Sequence, residues 1–157
     1  MMAQIETALA PFHSDEAMLR FGDRFMAQDV PAGEWTHAAH FAAALYLIAM
    51  REDLDAERDM PGLIRALNDA HGVPNSGTSG YHHTITLASL GAARDRLEQN
   101  PPATPVVEVL GLLLRGRYGR KDWMLEHWSR ETLFSARARA AWVEPDLAPL
   151  PFAAIAT

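Results

Sequence analysis

A chain of 157 residues, 48% of them apolar, is long enough for one domain with a hydrophobic core of its own. Its 20 Asp and Glu against 14 Lys and Arg leave a net charge of -6, which argues against a nucleic-acid partner, since phosphate binding needs a clustered basic surplus. The absence of cysteine excludes disulfides, thiolate nucleophiles and cysteine-held zinc, so any metal would rest on nitrogen and oxygen donors.

In chain order the expected elements are helices. Met1 to Phe12 has no basic n-region and no sustained apolar run, so it does not read as a secretory signal. Ser14 caps a first helix carrying Met18, Phe21 and Phe25, and Asp29-Val-Pro-Ala-Gly33 ends it. A second helix is expected from about Trp35 to Arg51. Its apolar run Phe41 to Met50 is about half of what a bilayer span needs, so no membrane partner is expected, and a cytoplasmic protein is. A third helix begins at Asp59 and Pro61 and ends at His71-Gly72, with Pro just inside the start and Gly just past the end.

Gly72 to Gly80 reads as the clearest loop, with Ser79 as a cap for a fourth helix over about Tyr81 to Gln99, stopped by Asn100-Pro-Pro. Thr104 and Pro105 open a fifth helix, closed by Gly116 and apolar on nearly every side, and therefore expected at the centre. A sixth is expected over Lys121 to Trp128, and Ser135 caps a short last one through Trp142. The proline-rich tail from about 144 to 157 is expected to lie extended on the surface. No segment alternates with strand periodicity. The fold class is all-α, a single-domain bundle of about six helices.

Four histidines carry the chemistry. His37 and His40 are about 60° apart on a helical wheel and share a face with Phe41, Ala44 and Ile48. His82 and His83 straddle the apolar stripe of the fourth helix. If neighbouring helices pack antiparallel, the two pairs meet. Neutral imidazole is a common ligand of transition metals, and three imidazoles with an open position make a Lewis acid that binds water or a substrate oxygen.

The expected site therefore has His37, His40 and His82 as ligands, with His83 as either fourth ligand or acid/base group. Glu34, one turn before His37, is a second acid/base candidate. The implied cofactor is a divalent transition metal (zinc, nickel or iron), and the implied partner a small molecule covered by the Gly72 to Gly80 loop. The opposing reading is a non-catalytic binding or structural module in which the histidines are packing groups. His13, His71 and His127 are expected at the surface or at helix ends. The Glu-x-x-His of Glu34 to His37 occurs once, short of the two copies a di-iron bundle requires.

Three stretches carry a resemblance: Trp35-Thr-His-Ala-Ala-His40, Tyr81-His-His-Thr84, and Leu133-Phe-Ser-Ala-Arg-Ala-Arg139 followed by Pro145-Asp-Leu-Ala-Pro-Leu-Pro151. They resemble the motifs of an uncharacterised family of small bacterial all-helical proteins. The resemblance implies the helical fold and carries Tyr81, His82 and Thr84 beside His37 and His40, while His83 stands where that family has Glu. The architecture is also similar to DinB-type metal-binding bundles, whose motif spacing differs.

Overall fold

Ser14, Thr36, Asp55, Ser129 and Ser135 each offer a side-chain oxygen to the backbone N–H three residues on, and a helix starts after each. The structure, a computed structural model, describes residues 2–153. Its helices are α1 (Met2–Leu9), α2 (Asp15–Met26), α3 (His37–Leu45), α4 (Ala56–Ala70), α5 (His83–Glu98), α6 (Val106–Arg115), α7 (Arg130–Leu133) and α8 (Ala136–Ala140). Single 3-10 turns occur at Ala32–Glu34, Arg117–Gly119 and Trp123–Glu126, and there is no strand among the described residues. The chain is thus an all-α domain, with six helices of eight residues or more among the described residues.

The centre is α3, not α6. Seven of the nine α3 residues are buried, five of them alanines, and the helix packs on α2, α5 and α6. Where α3 presents alanine, neighbouring helices can approach closely, while Phe41 and Leu45 fill the remaining space. In α6, Leu110 and Leu113 are fully buried but Leu112 is exposed, so this helix presents one face to the core. Expecting α6 at the centre confused an apolar composition with burial all round.

After Leu45 the chain widens into one turn of π-helix over Tyr46–Met50. The Tyr46 ring lies flat where a Cβ on Gly22 of α2 would be, only 2.0 Å away. Its hydroxyl donates to Asp23 and accepts from Arg51, tying α2 to the end of the turn. Between α4 and α5, Glu57 is buried and receives three hydrogen bonds from Arg94 at 2.6 to 3.1 Å. Pro105 offers α6 no side-chain cap. Asp15 does so from α2, accepting from the N–H groups of Val106 and Val107.

Several boundaries differ from expectation for local reasons. Asp55 caps α4 earlier than expected, so Pro61 falls inside the helix. The Lys121 to Trp128 segment forms only the 3-10 turn Trp123–Glu126, and α8 stops at Ala140. The amphipathic α1, which packs on α6 and is pinned by Glu6 to Arg115, was not anticipated. Residues 144–153 of the tail have no regular structure but are strapped down. Asp146 accepts from Ser129 and Thr132, and Phe152 packs on Gly91 of α5. Residues 154–157 of the expected tail lie outside the described residues.

His127 follows the Trp123–Glu126 turn as its C-cap, one of the two positions expected for it, but it is buried there and holds this strap. Its Nε2 accepts from Arg117, so the proton sits on Nδ1, which donates to the carbonyls of Ala148 and Pro149. No helix among the described residues is long and apolar enough to cross a membrane.

Candidate ligand-binding cleft

Thr36 ends the approach to α3 and begins the site. Its hydroxyl caps the helix, and its carbonyl accepts from Nδ1–H of His40 at 2.7 Å. A carbonyl can only accept, so the proton is on Nδ1 and Nε2 keeps its lone pair. The His40 ring lies on the indole of Trp35 with centroids 3.9 Å apart, and Trp35 is stacked in turn on Phe25 of α2. Burial drives the His40 pKa down to about 4. The Thr36 carbonyl opposes that shift and the neighbouring His37 adds to it.

His37 is the first residue of α3, and its Nε2–H donates to the Tyr118 carbonyl at 2.7 Å. Burial again lowers its pKa, the Tyr118 carbonyl raises it and Lys121 lowers it further. At neutral pH both imidazoles are uncharged. Beside them opens a cleft of about 440 Å³. Phe41 of α3, Ile85 of α5 and Leu133 and Phe134 give it apolar walls, with Trp123 and Met124 from the 3-10 turn. Lys121 and Arg130 stand on it, exposed, and neither is in an ion pair among the described residues. A second, larger cleft of about 790 Å³ shares His37, Lys121 and Asp122 with the first.

The second histidine pair is elsewhere. His82 is the residue before α5, and its Nδ1 accepts from the N–H of Ile85, the role that serine or threonine plays at the other helix starts. Its Nε2–H donates to the Leu133 carbonyl at 2.6 Å. Both nitrogens are thus engaged, no lone pair is left for a metal, and burial lowers the pKa. The helix is capped by His82, not by Ser79 as expected. His83 shares a hydrogen bond of 2.7 Å with the Tyr81 hydroxyl, whose pKa burial raises to about 12.

Neither His83 nor Glu34 lines the cleft at His40. Glu34 lies exposed in the Ala32–Glu34 turn and pairs with Arg24 at 3.3 Å. Among the described residues no three His, Asp or Glu side chains are grouped so that they could hold a metal ion. The four imidazoles expected at one point are therefore two separate pairs.

No family model, curated protein or solved structure matches the chain. The geometry stands alone. Sequence reasoning placed His37 and His40 on one face correctly but missed Lys121, Trp123 and Arg130. Those three come from segments after residue 119 that fold back over α3 and α5, and their only sequence signal was a basic stretch interleaved with tryptophans.

Proposed function

We propose that the protein binds a small amphipathic anion in the cleft beside His40, with the apolar body against Phe41, Ile85 and Trp123 and the acidic head toward Lys121 and Arg130. The observation that supports this most is His40 itself. Its ring is held by Trp35 and Thr36, it stays neutral at pH 7, and among the described residues no donor occupies its Nε2. It is a fixed acceptor on a cleft with largely apolar walls, where Lys121, Arg130 and Asp122 are the charged side chains and Asp122 is paired with Arg120, and such a combination orients a ligand by one or two polar contacts. A hydroxyl or a protonated acid group of the ligand would donate to it.

A metal-dependent activity is a second reading, and one observation favours it. The single ring N–H of each of His37 and His40 is taken by a backbone carbonyl, the outer contact that commonly orients metal-ligating histidines. Zinc, nickel or iron on these two imidazoles would then draw its remaining ligands from water and substrate.

Both readings are tested on one preparation without a histidine tag. Trp123 and Trp35 report on the cleft by fluorescence. Octanoate should change that signal saturably, octylamine should not, and Lys121→Glu with Arg130→Glu should weaken octanoate binding about tenfold or more. Equal responses to octanoate and octylamine would overturn the binding reading. A thermal melt with added zinc, nickel or iron that is the same for wild type and His40→Asn would overturn the metal reading.

A further inference from the structure

On the other side of the α5 start, a smaller cavity of about 190 Å³ is bounded by two arginines and a glycine-serine loop. Arg65 comes from α4 and Arg139 from α8. The Arg65 guanidinium lies over the Tyr81 ring, 4.3 Å from its centroid, and so is held over the cavity wall and not left to sweep through solvent. Arg139 donates one N–H, from Nη1, to the Gly80 carbonyl at 3.0 Å. Its Nε is buried without a hydrogen-bond partner. Neither arginine is in an ion pair among the described residues, and no carboxylate lines the cavity. In a chain of net charge -6 two guanidiniums thus face one small space with nothing of opposite sign in it.

The opposite wall is rigid. Asn75 accepts from Asn68 and from the Tyr81 N–H, and donates to the Arg65 carbonyl and to Asp69. The Asp69 carboxylate accepts from Asn75 and does not line the cavity. Gly80 has φ +78, and a Cβ there would stand 2.4 Å from the Pro74 carbonyl, so only glycine closes the loop. Ser76 N–H donates to the Ser79 carbonyl, and Ser76 Oγ accepts from the Thr78 N–H. Ser76 and Gly77 face the cavity on this fixed turn.

From this arrangement we infer a binding site for a single tetrahedral oxyanion, inorganic phosphate or the phosphoryl group of a small metabolite, clamped between Arg65 and Arg139. Guanidiniums present paired N–H donors that match phosphate oxygens two at a time, and their charge is never lost in the physiological range. The volume corresponds to about six waters, enough for one such anion with part of its hydration. The Ser76 hydroxyl, which also shares a 3.4 Å hydrogen bond with the Thr78 hydroxyl, can turn its proton to the anion. The site is separate from the His40 cleft and shares no lining residue with it.

The experiment is a thermal melt and a calorimetric titration of the full chain in a phosphate-free buffer at fixed ionic strength. The probes are inorganic phosphate, sulfate, acetate and glycerol phosphate. Phosphate and sulfate should raise the melting temperature dose-dependently, with acetate inert. Glycerol phosphate binding more tightly than phosphate identifies a phosphoryl-bearing metabolite, and equal affinity identifies the free ion; both support the site. Arg139→Gln should weaken binding at least tenfold. Because Arg139 also holds the Gly80 carbonyl, Arg65→Gln, on an exposed side chain, is the second variant and should weaken binding as much without lowering the melting temperature of the ligand-free protein. No response to phosphate or sulfate, or a response unchanged in Arg65→Gln, would overturn the inference.

Discussion

Replacing His40 by Asn tests the central geometric statement about the site. The Asn side-chain amide can still donate to the Thr36 carbonyl, so the variant removes the titrating ring and its stacking on Trp35 but not the cap contact. In the unfolded chain an imidazole titrates near 6.5. In the folded protein that of His40 is held down to about 4, chiefly by burial.

As pH falls below about 6.5 the unfolded state therefore takes up a proton that the folded state refuses, and stability is lost until the pH reaches about 4. Above about 6.5 neither state binds the proton and this contribution is intact. At about 1.4 kcal/mol per pKa unit, the wild type loses about 3 kcal/mol through His40 over that window, and the variant does not. Urea unfolding of both proteins at about pH 7.5 and pH 4.5 measures it. Contributions from groups distant from position 40 are common to both proteins and cancel in the difference, leaving the His37–His40 coupling as part of what is measured. The wild type should be the more stable at the higher pH, and the gap should shrink by about 2–3 kcal/mol at the lower. A gap constant to within about 0.5 kcal/mol, with the His40 resonance titrating near 6.5, would refute the burial argument.

Leu110→Ala should cost about 2–5 kcal/mol in denaturant unfolding, because Leu110 is fully buried where α6 meets the core. Gly22→Ala should destabilise by about 1–3 kcal/mol, since the added methyl overlaps the Tyr46 ring and the ring cannot leave without breaking its bonds to Asp23 and Arg51. His82→Ala should cost about 2–4 kcal/mol by removing a helix cap and leaving the Leu133 carbonyl short of a donor. His82→Asn, which restores a cap acceptor, should recover about 1 kcal/mol of it. An unaltered melting temperature in His82→Ala would show that the cap is dispensable.

Much of the fold was readable from local chemistry. Ser14 caps α2 as expected, Asn100-Pro-Pro ends α5 and Gly116 closes α6, because these signals act within a few residues of themselves. What failed depends on partners distant in the chain. Asp15 serves α6 from about ninety positions away, His127 meets Pro149, and His82 meets Leu133 fifty-one residues on. A histidine that caps a helix and one that ligates a metal have the same sequence signature. They differ in what faces the second nitrogen, and that is set by a loop carbonyl. The pairing of His37 with His40 was legible because helical geometry alone places them together, whereas Lys121 and Arg130 reach the cleft only through the return of the chain after α6.

The five alanines of α3 reverse the usual sensitivity of a protein interior. In most cores the large side chains are the ones that must be kept, and shaving them leaves holes. Here Ala39, Ala42 and Ala43 are fully buried beneath the chains of α2, α5 and α6, and the scarce quantity is space between backbones. A leucine on a neighbouring helix can be exchanged for methionine or isoleucine with local repacking, but a larger side chain at a fully buried alanine of α3 must displace the helices packed on it. Attempts to stabilise this protein by filling its interior should therefore begin at the outer helices and leave α3 untouched.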